Sequence, residues 1–271
     1  MSELVPLLFS SFAYIFAGFA VGLVVGLTGV GGGSLMTPLL IFGFGIKPHL
    51  AIGTDLLFAA FTKLGGTVSL ARHRLIDWPV VGQMALGSVP ACLVTLYVLK
   101  RLGPANPATQ TIMTTTLGAA LLLTAVATLF KVIRGKAVPT HIAPDQLSQA
   151  TKARHWSLPV LFGAVIGTLV TLTSVGAGAI GVIVLMLLYP ALPLPRIVAA
   201  DIAHAVPLTL VAGFGHASIG SVDWPLLAKL LAGSLPGIWL GTVLMKKTPD
   251  RVIRSLLSVL LAYAGLKLIA I

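Results

Sequence analysis

Ten apolar segments, near residues 5–27, 34–46, 48–71, 79–100, 108–130, 157–173, 178–190, 194–216, 225–245 and 252–271, take up nearly the whole chain. In lipid no water satisfies exposed peptide groups, so segments of this kind must bond their own backbone as helices or join a closed barrel. Gly and Pro interrupt the runs, and the strict apolar–polar alternation of a barrel strand is missing. The expected fold is therefore all-α, a polytopic transmembrane helical bundle. Composition agrees: 9% of the residues are charged, against roughly 25% in a soluble domain.

The formal net charge of +11 would suggest nucleic acid in a soluble protein. Here Lys and Arg gather in short segments between apolar runs, as the positive-inside rule produces. No basic stripe with interleaved aromatics is present, so nucleic acid is excluded as a partner. The single cysteine, Cys92, lies in an apolar run and can form neither an intrachain disulfide nor a cysteine metal cluster. No metal and no cofactor are expected. The Met1-Ser2-Glu3 start has no basic residues before the first apolar run, so no cleaved signal peptide is read.

Two of the ten segments, 34–46 and 178–190, are short. A helix of that length reaches about 20 Å, against a hydrocarbon core of roughly 30 Å. Each follows a glycine cluster: Thr28-Gly29-Val30-Gly31-Gly32-Gly33-Ser34 before the first, and Thr173-Ser174-Val175-Gly176-Ala177-Gly178 before the second. Each short segment reads as a half-helix that begins at a break in the chain. The two clusters belong to a longer internal match. Gly22, Thr28, Val30, Gly31 and Gly33 align with Gly167, Thr173, Val175, Gly176 and Gly178. One residue of insertion later, Asp55 meets Asp201, Asp77-Trp78-Pro79 meets Asp223-Trp224-Pro225, and Gly87-Ser88 with Pro90 meets Gly233-Ser234 with Pro236. The chain divides into a first transmembrane repeat, 1–130, a polar linker, 131–156, expected in the cytoplasm, and a second repeat, 157–271.

Charge orients the repeats. Arg72, His73 and Arg74 precede the first Asp-Trp-Pro, whereas Ala217 to Val222, before the second, contain no Lys or Arg. The next turn reverses the bias, with Lys100 and Arg101 against Lys246, Lys247, Arg251 and Arg254. Equivalent loops prefer opposite sides of the membrane, the signature of an inverted repeat with about five membrane elements in each half. Lys100 and Arg101 run against this topology, which places them outside.

The interrupted helices are the pointer to a binding site. Backbone N–H groups at the start of each half-helix, in Gly29, Gly31, Gly32, Gly33, Gly176 and Gly178, can hold an anion. Thr28, Ser34, Thr173 and Ser174 add hydroxyl donors. Close packing of small residues is the alternative use of such glycines. No Gly-Lys-Ser/Thr ending or strand context supports a nucleotide loop. Asp55 and Asp201 lie inside apolar runs, where an unpaired acid costs roughly 2.5–3.5 kcal/mol, so they need a partner or a wet cavity, unless they cap helices near the interface. Lys63, two turns beyond Asp55, can supply positive charge to an anion or neutralise an acid; snorkelling to the interface is the alternative. His204, three residues after Asp201, could share a proton with it or serve packing alone. Lys63 thus joins the glycine clusters as a substrate-binding candidate, and Asp55, Asp201 and His204 are the proton-coupling candidates.

These motifs resemble the TauE/SafE family of sulfite exporters and 4-toluene sulfonate uptake permeases. The likeness is carried by Gly26-Leu27-Thr28-Gly29-Val30-Gly31-Gly32-Gly33 with Pro38, Ala51-Ile52-Gly53-Thr54-Asp55-Leu56, Thr62-Lys63 and Asp77-Trp78. In the second half it continues in Ala200-Asp201-Ile202-Ala203-His204-Ala205-Val206-Pro207 and Gly213-Phe214-Gly215-His216. The resemblance implies a multi-pass carrier of the bacterial cytoplasmic membrane, working on sulfite, sulfoacetate or related sulfonates and drawing on the proton gradient. Many family members carry a hydroxyl residue where this chain has Asp55.

The expected function is secondary transport of a small sulfur-containing or organic anion by alternating access, proton-coupled, with export favoured. A passive anion channel is the main rival. A membrane-embedded lipid-pyrophosphate phosphatase is weaker, because it needs clustered Glu, Ser, His or Arg that the repeats lack, so no enzyme is expected. The partners are the anion, protons and the bilayer, with a homodimer left open.

Overall fold

The computed structural model describes residues 4–28, 33–134, 157–245 and 250–269, which form ten α-helices with no strand among them. In chain order they are α1 (Leu4–Thr28), α2 (Gly33–Phe44), α3 (Pro48–Arg72), α4 (Trp78–Leu102) and α5 (Pro107–Arg134). Then come α6 (Ser157–Thr173), α7 (Ala179–Leu188), α8 (Leu194–Ser218), α9 (Trp224–Met245) and α10 (Asp250–Ile269). Each apolar segment of the sequence is one helix, and the two short ones are α2 and α7. The linker begins later than the sequence suggests: α5 runs on through Arg134, and the rest of the linker lies outside the described residues.

Proline sets several helix starts. Pro48 opens α3, and Pro79 and Pro195 come second in α4 and α8. At those positions the ring's fixed φ suits the helix and its missing N–H has no intrahelical partner to lose. Gly103 stops α4 with a φ of +81°, a left-handed conformation that glycine adopts without strain.

Four described helices, α4, α5, α8 and α9, are long and apolar enough to cross a membrane. With 25 residues, α4 and α8 each reach about 37 Å, more than the roughly 30 Å hydrocarbon core. Large apolar side chains such as Phe12, Phe16, Leu86, Val126, Leu161 and Val259 face outward. Water would penalise such a surface and lipid favours it, so the chain is a multi-pass membrane protein. Trp78 and Trp224, at the first positions of α4 and α9, are more than half exposed, as interfacial anchors are.

Inside, glycine lets backbones meet. The main partnerships are α1 with α9, α4 with α6, α3 with α8, and α5 with α10. Along α1 and α9, Gly18 touches Leu230, Gly22 touches Ser234 and Gly26 touches Ile238, so these helices run parallel. Between α6 and α4, Gly163 meets Met84 and Gly167 meets Ser88, again in parallel. The first half's opening helix therefore packs on the second half's fourth, and the second half's opening helix on the first half's fourth. In contrast, α3 and α8 run antiparallel: Gly53 lies against His216, Leu57 against Gly213 and Gly66 near Ile202.

Candidate functional site

The second glycine cluster is a break between α6 and α7. Ser174 takes a φ of +59°, and Gly176 and Gly178 take +130° and +141°. Thr173 holds the turn: its Oγ1 donates to Leu169 O at 2.6 Å and accepts from Val175 N at 3.1 Å. That hydroxyl is thus committed to the backbone around it. Gly178 caps α7 with its backbone, and the N–H of Gly181 reaches back to Gly176 O at 3.0 Å. In the first cluster Gly29, Gly31 and Gly32 lie outside the described residues, as does the side chain of Thr28. Gly33 opens α2 and Ser34, next to it, is buried.

Both acids face the half-helix that precedes them in the chain. Asp55 is wholly buried and accepts a hydrogen bond on Oδ2 from Thr37 Oγ1 of α2. Its Oδ1 has no hydrogen-bond partner, and the buried Ser174 hydroxyl, also without one, lies close to this carboxylate. Asp201 is 2% exposed and rests on the first turn of α7, where its Oδ1 would stand 1.9 Å from a Cβ placed on Gly181. Neither acid caps the helix that carries it. The N-cap residues of α3 and α8 are Lys47 and Pro193, and Asp55 and Asp201 follow the helix starts Pro48 and Leu194 by two turns. The capping alternative is therefore set aside by position and burial alike.

Lys63 extends from α3 across to the second repeat, where its Nζ donates to Ala177 O in the α6–α7 break at 3.0 Å. Asp55 and Asp201 both lie within its electrostatic reach. A lysine whose ammonium is bonded to a carbonyl inside the bundle is not snorkelling to the interface. His204 turns Nε2 to Ser88 Oγ on α4 at 2.8 Å. The ring therefore ties α8 to α4, and Ser88 rather than Asp201 is the partner of that nitrogen. One region of the bundle thus brings a part-buried ammonium together with two buried carboxyls, a buried imidazole and the unwound backbone of the second break.

Sequence reasoning missed several of the residues involved. Thr37 and Gly181, on the half-helices, contact the acids, yet neither stands in a repeated motif. Ser88 does stand in one, the Gly-Ser-x-Pro pair, and that repetition was its available signal. Two further contacts tie the start of α4 to the α7–α8 junction. Arg196 Nη1 donates to Asp77 Oδ1 at 3.0 Å, and Tyr189 Oη donates to Gln83 Oε1 at 2.7 Å. Burial pushes the Asp77 carboxyl above the usual carboxylate range, and the Arg196 guanidinium pulls it partly back. Asp223, the counterpart of Asp77, behaves differently: its Oδ1 accepts from Leu226 N at 3.0 Å, and its own N–H donates to Thr54 Oγ1. At the C-terminal end of α8, His216 Nε2 donates to Thr171 O at 2.9 Å.

Comparison with known proteins gives a consistent picture. A "Probable membrane transporter protein YjnA" of Bacillus subtilis is 36% identical over 259 residues, covering 96% of this chain and 100% of that protein. A second B. subtilis protein, "Probable membrane transporter protein YdhB", is 28% identical over 257 residues, 93% of this chain and 97% of its own. No solved structure matches. The family model described as "Sulfite exporter TauE/SafE" matches residues 14–268. With nearly its whole length inside that match, the chain belongs to the TauE/SafE family of membrane transporters, and it is not an enzyme.

Proposed function

We propose that this transporter is a proton-coupled secondary carrier of small sulfur-containing or organic anions, such as sulfite, sulfoacetate or related sulfonates, working by alternating access. The observation that carries the reading is the Lys63–Ala177 bond, which brings a cation of the first half to the chain break of the second. An anion docked there meets an ammonium, and the positive end of α7 lies next to it. Asp55, Asp201 and Lys63 together bear one net negative charge when all are ionised. An anion enters such a site more readily when a carboxyl takes up a proton, which is the physical basis for coupling. His204, bonded to Ser88, is the remaining group able to move a proton in the same region.

The two halves act as inverted repeats that rock against each other around this centre. Supporting this are the antiparallel course of the equivalent helices α3 and α8 and the reciprocal pairing of α1 with α9 and α6 with α4. Export is the favoured direction, in keeping with the family's description. The test is flux of sulfite in proteoliposomes, with sulfoacetate, taurine and acetate as alternative substrates. Lys63→Ala and Gly32→Leu, in protein that remains folded, should abolish anion flux. Normal sulfite transport in both variants would show that the site is elsewhere.

A further inference from the structure

The end of α7 that would attract a substrate anion already has one beside it. Asp201 lies over the first turn of this helix, and only the absence of a side chain at Gly181 gives it room: a Cβ there would be 1.9 Å from Oδ1 and 3.1 Å from the carboxyl carbon. First-turn N–H groups of a helix have no carbonyl four residues earlier within it, and they carry the positive end of its dipole. The first repeat is built otherwise. There Met36, fully buried, occupies the place that aligns with Gly181, and Asp55 turns to the Thr37 hydroxyl. The two acids are thus not equivalent, and the one against α7 is the one placed to compete with substrate.

We propose that Asp201 is a built-in anion that holds the positive end of α7 while it is ionised and yields that end to the substrate when it takes up a proton. This rests on the reading of the Lys63 centre as the anion site. Lys63 of α3 interacts electrostatically with Asp201, Asp55 of α3 shares that lysine, and His204 stands one turn along on Asp201's own helix. Among the described residues of α7 and of the break before it, none nearby titrates, and Arg196, lower on α8, is taken by Asp77. With Asp201 ionised, an incoming anion would sit against a carboxylate of the same charge. With Asp201 neutral, the helix end and Lys63 are left to the substrate. Each anion bound then brings one proton with it.

The experiment measures binding of sulfoacetate to the purified full-length protein as a function of pH, between about pH 6 and 8, where this ligand keeps its charge. One linked proton makes the dissociation constant rise about tenfold per pH unit above the titration of Asp201. Asp201→Asn should flatten this dependence, and in proteoliposomes it should lose pH-driven accumulation of the anion. Gly181→Ala retains the acid but fills its seat, so it should flatten the dependence as well. It also answers the case in which Asp201→Asn does not fold. A full pH slope in either folded variant overturns the proposal. Lys63→Met separates the two readings: loss of binding in that variant concerns the anion site, whereas the slope in the Asp201 and Gly181 variants concerns the coupling.

Discussion

Adding one methyl group at Gly87 or at Gly233 should separate two helices that the fold needs in contact. A Cβ at Gly87 would stand 1.8 Å from Val160 O on α6, and one at Gly233 would stand 1.9 Å from Ile15 O on α1. A carbon and a carbonyl oxygen sit no closer than about 3.3 Å, so each helix pair must open by about 1.5 Å. The obstacle is backbone, and no side-chain rotation relieves it. A radial gap of only 0.5–1 Å already forfeits about a quarter to a half of each contact's attraction, and overpacking typically costs about 1–3 kcal/mol. Taking about 2 kcal/mol, the folded-to-unfolded ratio of Gly87→Ala should fall about 30-fold. Gly233→Ala should lose a similar amount, because the two glycines occupy matching places in α4 and α9. The assay is unfolding of purified protein in mixed micelles titrated with sodium dodecyl sulfate. Gly82→Ala is the control, since nothing lies within 4 Å of a Cβ at that position. It should be neutral or gain up to about 1 kcal/mol from helix propensity. Equal stability in Gly87→Ala and Gly82→Ala would refute the packing argument.

Other consequences can be measured in the same way. Ser88→Ala removes the partner of His204 Nε2 and leaves a polar atom unsatisfied inside the bundle, so it should cost about 1–3 kcal/mol in the detergent titration. Asp77→Asn should change how stability depends on pH. Burial raises this carboxyl, so the native state holds its proton more tightly than the unfolded chain does, and the Asp77 contribution declines as pH rises from the ordinary carboxylate value toward the raised one. The unfolding profile of the wild type should show that decline, and the profile of Asp77→Asn should lack it.

Much of the architecture was legible in the sequence because lipid imposes a strong rule. Apolar runs bounded by Gly, Pro and charged residues predicted all ten helices, including the short α2 and α7, to within a few residues. The α5 boundary was the exception, because Lys131 and Arg134 look like linker while the helix continues beneath them. Which helices touch was not legible. Nothing local in α1 announces α9 as its partner, and Gly18, Gly22 and Gly26 indicate only that some backbone comes close. The same limit applied to the site. Asp55, Asp201, Lys63 and His204 stood out because charge inside apolar runs is costly, but their partners Thr37, Gly181, Ala177 and Ser88 come from other helices and breaks. An acid near the start of an apolar run can be an interfacial cap or a buried group, and the sequence does not say where the helix begins or what packs over it.

The most direct measurement is accumulation of sulfite against its own gradient in proteoliposomes after an imposed pH step. A proton-coupled carrier centred on Lys63 should concentrate the anion above equilibrium, lose that ability when a protonophore collapses the pH gradient, and show no flux in Lys63→Met. Equilibration without accumulation would identify a passive pathway, and wild-type accumulation in Lys63→Met would remove Lys63 from the site; either result contradicts the account.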